Sequence, residues 1–413
     1  MKKFAVAATL AAALMCGTAA QATDLEVTHW WTSGGEAAAV KVFADSFDAL
    51  PGGDHWVDGA IAGSGDVANP LIISRILGGN PMGATQMNTG RDAEDLIKAG
   101  LMTDLTDLAN QEGWFDAIRP KKLFESCIYD GKVYCVPVNI HSQQWLWLSD
   151  AAFKTAGLPV PKDWNEYVAD FPKLKEAGII PMSVGQGWPI NTMWGVLLAS
   201  VGGPDLFRQI NIDKNADAVR SDDFKKVAQA LADVRDATDS DAIVPLWNDA
   251  TNLVIQGKAA GNIMGDWAQG EFQVAGQVAG TDYECLPGLG LRDIVDTGGD
   301  AFYFPKNDDP DIQKAQLKLA KMLLSPDVQV AFNLKKGSMP VRGDVDTSKA
   351  NDCMKKGLKI LENPDNVLPT GDQTFSSDTQ GQLQDLVLAF FADKSMSVDD
   401  LQAQYADIVA NAN

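Results

Sequence analysis

Runs of strand-forming residues alternate with amphipathic helical stretches along almost the whole chain. This alternation constrains the fold more than any other feature. Leu25-Glu26-Val27-Thr28-His29-Trp30 reads as a strand, and residues 34–50 follow as a helix with Ala37, Val40, Ala44 and Phe47 on one face. Helical spacing recurs at 69–77, 93–99, 164–177, 191–201, 221–238, 249–256, 312–324, 327–334 and 398–410, with strand-like runs at 82–87 and 132–138. The pattern predicts an α/β architecture. A chain of 413 residues exceeds the ~250–300 that one core usually serves, so two domains are expected.

The first residues stand apart from this pattern. Lys2 and Lys3 form a short positive head, and an apolar run over 4–15 follows. That run is shorter than the ~20 residues needed to cross a bilayer. Ala20-Gln21-Ala22 supplies small residues around a cleavage point, so residues 1–22 read as a secretory signal peptide and the mature chain as periplasmic. Cys16 offers a lipoprotein alternative, but Met15 stands where a small residue is needed. The formal net charge of −21 repels phosphate backbones, which argues against nucleic acid as a partner, and it favours a soluble chain with no stable oligomer.

Four cysteines follow the leader. In an oxidising compartment Cys127 with Cys135, and Cys285 with Cys353, are the candidate pairs. The first two flank Tyr129-Asp130-Gly131-Lys132, whose Asp-Gly reads as a hairpin turn. The spacings do not suit a metal site, and His29, His55 and His141 are the sole imidazoles.

Five segments carry a more specific signal: Val27-Thr28-His29-Trp30-Trp31-Thr32-Ser33-Gly34-Gly35-Glu36, the Asp130-Gly131-Lys132 hairpin running on to Val138-Asn139-Ile140-His141, Trp145-Leu146-Trp147, Gly265-Asp266-Trp267, and Lys335-Lys336-Gly337-Ser338-Met339-Pro340-Val341-Arg342. In this order, over nearly the whole chain, they resemble the extracellular solute-binding proteins of ABC sugar importers, the group containing maltose-binding protein. Within it they are most similar to the glucose/mannose-binding branch. The resemblance implies two α/β lobes with a ligand cleft between them and a hinge crossed three times, near Val138, 283–287 and Leu334. The first lobe is then 23–138 plus 284–334, and the second 139–283 plus 335–413. It also implies a binder and not an enzyme, with no cofactor. The partners it implies are a small sugar and the permease subunits of the inner membrane.

A pyranose offers apolar faces and a rim of hydroxyls, so its site needs aromatic rings together with donors and acceptors. Trp30 and Trp31 point to opposite sides of a strand, so one can serve the core while the other faces a cleft. Glu36 follows the Gly34-Gly35 turn at a helix start. Asp266 with Trp267 offers an acceptor and a stacking face, and Trp247 and Trp188 offer further walls. Gln86 and Asn88, at the end of a strand, are edge ligands. The resemblance adds Asp300 as an acceptor and a lysine donor at the third crossing, with Lys335 ahead of Lys336 and Arg342 as candidate. His141, beside the hinge, reads as a residue that supports the ligand-binding groups or packs behind them, and not as a ligand itself. The glucose-binding relatives imply a histidine in the C-terminal region, and none follows His141 here; Ser376, Ser377, Asp378 and Thr379 are the candidate substitutes.

Two rival readings use the same residue types. A glycoside hydrolase would pair carboxylates at ~5–5.5 or ~6.5–9.5 Å. A polyamine binder would also combine acids with Trp, but lysines near the cleft oppose a cationic ligand.

Overall fold

The computed structural model describes residues 22–239, 242–370 and 374–412. The expected signal peptide, apart from Ala22, lies outside the described residues. The chain lays down β1 (Asp24–His29), β2 (His55–Ala60), β3 (Ala84–Asn88) and β4 (Cys135–Pro137). It then builds a second sheet from β5 (Trp145–Ser149), β6 (Ile180–Met182), β7 (Ala259–Ile263) and β8 (Tyr283–Pro287), and returns with β9 (Asp300–Tyr303). The first sheet has the order β2-β1-β3-β9-β4 and the second β8-β5-β7-β6. β1, β2 and β3 are parallel, while β9 runs antiparallel between β3 and β4.

Side-chain alternation explains the first sheet. Leu25 and Val27 of β1 are wholly buried in the first core, which α1 (Gly34–Asp48) shares. Ser33 caps α1, its Oγ accepting from the Glu36 N–H at 3.4 Å. The buried stripe of α1 is Ala39, Val40, Phe43 and Phe47, so the expected face through Ala37 and Ala44 is rotated. Phe43 decides this, because its ring stacks on Phe332 of α3 (Pro326–Lys336) with centroids 4.0 Å apart. Between them in sequence lies α2 (Ala268–Val274), which packs with Trp147 and Tyr283 of the second sheet.

The expected lobe boundaries need two corrections. β8 pairs along all of Tyr283–Pro287 with Trp145–Ser149, so it belongs to the second sheet and the chain crosses back only after it. After Leu334 the chain does not pass directly to the second lobe. Met339, Val341, Ala350, Met354 and Ile360 bury their side chains in the first core, and the second core is joined from Leu368. Two bridges tie the crossing strands together, Ile140 to Met339 and His141 to Gly298.

Both candidate disulfides are present, Cys127–Cys135 and Cys285–Cys353. The first closes a hairpin whose Asp130 and Gly131 have φ of 48° and 73°, the positive pair that a tight two-residue turn needs. The second ties β8 to the helix Asp352–Leu361. No helix among the described residues is long and apolar enough to cross a membrane.

Candidate functional site

The carboxyl ends of β1, β3 and β7 meet at the crossings, where they deliver a buried cluster of charged groups between tryptophan rings. From the first lobe come Trp31, Glu36, Gln86, Asp300 and Lys336. From the second come Asp266 and Trp267, with Asn139, His141 and Ser142 on the first crossing.

Lys336 is the centre. Its Nζ donates to Glu36 Oε1 at 2.9 Å and lies 5.5 Å from the Trp31 ring and 5.8 Å from the Trp267 ring. The side chain is 2% exposed. Lys335, the expected donor, is exposed instead. Successive residues of a helix are turned ~100° apart, so one of two adjacent lysines on α3 faces inward and the other outward. Glu36 is held from its other oxygen by Ser33 Oγ at 3.2 Å.

Asp300 accepts from Gln86 Nε2 and Asn139 Nδ2, each at 2.8 Å, and stands 3.5 Å from His141 Nδ1. Gln86 in turn accepts from the Trp30 N–H at 3.0 Å. Asn88 is the register partner of Asp300 across the strand pair, on the same face as Gln86. Asp266 Oδ2 accepts from the Ser142 N–H at 3.0 Å and its hydroxyl at 2.9 Å. Trp267 folds back over Gly265, where an added Cβ would lie 2.1 Å from the indole, so glycine is required there. Its ring meets His141 edge-on at 5.5 Å, Trp188 at 6.1 Å and Trp247 at 6.4 Å. Trp247 and Trp188 thus back the Trp267 wall. Trp31 joins the core to the cluster, with Phe332 5.3 Å from it on one side and Lys336 near it on another. Trp30 is half-buried, with its ring against Gly65. Ser376 caps the helix Ser377–Ala392, and its hydroxyl also meets Thr379.

Electrostatics follow from burial and pairing. Burial opposes charge on Lys336, but Glu36, Asp300 and Asp266 overcome it and raise the ammonium pKa. Burial likewise works against His141, and the Asp300 carboxylate outweighs it to raise the imidazole. For Asp300 burial is overcome by His141, and its carboxyl is held well below the usual range. Burial wins at Asp266, which is pushed up to about 7 despite His141 and Ser142. Two buried polar atoms here have no protein partner: Asp266 Oδ1, an acceptor, and Trp31 Nε1, a donor. Such atoms cost ~1–3 kcal/mol unless something bonds them.

Asn139 and Ser142 were not among the residues expected from the sequence, whereas His141, beside Asp300, takes the supporting place expected of it. The available signal was the polar run Asn139-Ile140-His141-Ser142 following directly on an apolar strand.

Two α/β lobes joined by crossing strands, with a polar and aromatic cluster buried between them, define a two-lobed binding protein. The chain belongs to the bacterial extracellular solute-binding protein family, whose model matches residues 56–330. It is 38% identical over 364 residues to a probable sugar-binding periplasmic protein of Rhizobium meliloti, covering 87% of this chain and 86% of that one. Its fold is similar to a chitin oligosaccharide binding protein, with TM-score 0.75, 17% identity and coverage of 94% of this chain and 98% of that one. It is equally similar to maltose-bound MalE3 of T. maritima, with TM-score 0.75, 19% identity and coverage of 94% and 100%.

Proposed function

We propose that this chain is the periplasmic sugar-binding component of an ABC importer and that it captures a single pyranose of the glucose/mannose type. The observation that carries the reading is the Lys336 ammonium set near both Trp31 and Trp267, beside the unpartnered Asp266 Oδ1 and Trp31 Nε1. In this reading the sugar lies against one indole in the open form, and the second lobe closes its own indole over the sugar. Glu36, Gln86, Asn88, Asp266, Asp300 and Lys336 bond the hydroxyls. Ligand shifts the population toward the closed form by its differential affinity. The closed form then docks on the permease. The buried Lys336 opposes a cationic ligand such as a polyamine.

The preference for a single ring rests on the order of motifs shared with the glucose/mannose branch. A longer saccharide is the second reading. It is favoured by a groove of about 540 Å³ beyond Asn88, lined by Arg91, Tyr129 and Tyr303 from the first lobe and Asn211 from the second.

The test is thermal unfolding of the mature protein against glucose, mannose, galactose, xylose, maltose and mannitol, with putrescine as a control. A ligand at 100 times its Kd adds about 2.7 kcal/mol of stability. A selective shift with one monosaccharide supports the reading. A shift with maltose alone favours the longer saccharide, and a shift with putrescine alone sinks the ligand class.

A further inference from the structure

The lobes meet at a second place, beside the cluster. α2 follows directly on Trp267 and lies along the N-terminal end of α1. The two helices belong to different lobes: Ala268 and Phe272 pack with the second sheet, and Ala39 and Phe43 with the first. Their contact is backbone on backbone. A Cβ on Gly35 would lie 2.4 Å from the carbonyl carbon of Gly270, and one on Gly270 would lie 3.1 Å from Gly35 Cα. Glycine on both sides lets the lobes come this close.

At this seam the Gly35 N–H donates to Glu271 Oε1 at 2.7 Å, between residues 236 positions apart in sequence. Glu271 is 7% exposed. The first N–H groups of a helix have no partner within it, and they form the positive end of its dipole. A carboxylate brought there by the other lobe satisfies one of them and is itself stabilised. The next residue on α1 is Glu36, which holds Lys336.

We propose that Glu271 is an inter-lobe latch. It is a positioning residue that binds the N-terminus of α1 when the lobes meet, and it thereby sets the closed population and the residence time of the ligand. A contact made only in the closed form strengthens apparent affinity by favouring the competent state, with no need to touch the ligand. The ligand half of this inference rests on the capture reading above, and the closure half does not.

Glu271→Gln keeps the size and removes the charge. With the sugar identified by the panel, dissociation should accelerate about tenfold, the difference between a charged and a neutral hydrogen bond. Association should change less than twofold. Closure is read without ligand by disulfide trapping of Gly34→Cys with Val274→Cys, since a Cβ on Gly34 lies 3.8 Å from Val274 Cγ1. Adding Glu271→Gln should slow trapping about tenfold. Gly270→Ala should slow it too, by wedging the seam. Trapping at the unaltered rate, or sugar dissociation at the wild-type rate, overturns the latch. If the wild type binds no sugar of the panel, the capture reading fails and the trapping rates still decide the latch.

Discussion

Lys336→Met removes the ammonium at the centre of the cluster and keeps most of the side-chain volume. Lys336 and Glu36 are 2% and 9% exposed, and their charged atoms stand 2.9 Å apart. Breaking a buried pair by removing one partner costs about 3–5 kcal/mol, because the remaining charge loses its compensation. Glu36 would keep only the Ser33 hydroxyl, and Asp300 and Asp266 would lose a neighbouring cation. The single variant should therefore lose about 3–5 kcal/mol in urea unfolding of the unliganded protein. Adding Glu36→Gln removes the stranded charge and should recover at least about 1 kcal/mol, a positive coupling in the double-mutant cycle. Recovery should stop short of wild type, because the two aspartates keep their loss. Unfolding slopes should stay constant, so that midpoints report stability. A Lys336→Met variant within about 1 kcal/mol of wild type would show that the ammonium is solvated and unpaired, and the reasoning would fail. So would a double variant as unstable as the sum of the singles.

Trp267→Ala removes one proposed wall and opens a cavity over Gly265. It should weaken sugar binding at least a hundredfold by titration calorimetry and cost about 3–5 kcal/mol of stability; an unchanged titration curve would remove Trp267 from the site. Asp266 titrates at about 7 when folded, against 3.8 ordinarily, so the native state holds its proton more tightly. Its contribution is therefore fullest below the ordinary carboxylate value and is lost as pH climbs to about 7. Asp266→Asn should flatten that part of the stability profile, and parallel urea profiles for both proteins between pH 4 and 7 would refute it. The two disulfides close loops with sequence separations of 68 and 8 residues. Removing Cys285–Cys353 should cost about 4 kcal/mol and Cys127–Cys135 about 2.5 kcal/mol, so the reverse order in urea would contradict the loop-entropy argument.

The α/β class, most helix positions and the Cys127–Cys135 pair were legible in the sequence, because local periodicity and turn chemistry act over a few residues; Cys285–Cys353, 68 residues apart, followed only as the pair left over. The Asp130-Gly131 turn, for example, needs only its own two positive φ angles. Trp31, Glu36, Gln86, Asp266 and Trp267 stand out in the sequence as polar or aromatic residues at strand ends and turns, and Asp300 through the family resemblance; the structure brings them into one buried cluster. Other features depended on contacts between distant segments. Lys335 and Lys336 are chemically alike, and only the seating of α3 through Phe332 on Phe43 turns the second inward. His141 became part of the cluster once β9 brought Asp300 to within 3.5 Å of it. β8 carries no signal naming its sheet, and its pairing with β5 moved the lobe boundary. The Gly35–Gly270 seam joins residues with no local relation at all. Sequence thus determined the elements and the chemistry available at their ends, whereas tertiary packing decided which of those groups share one buried space, where low dielectric makes each charge depend on its neighbours.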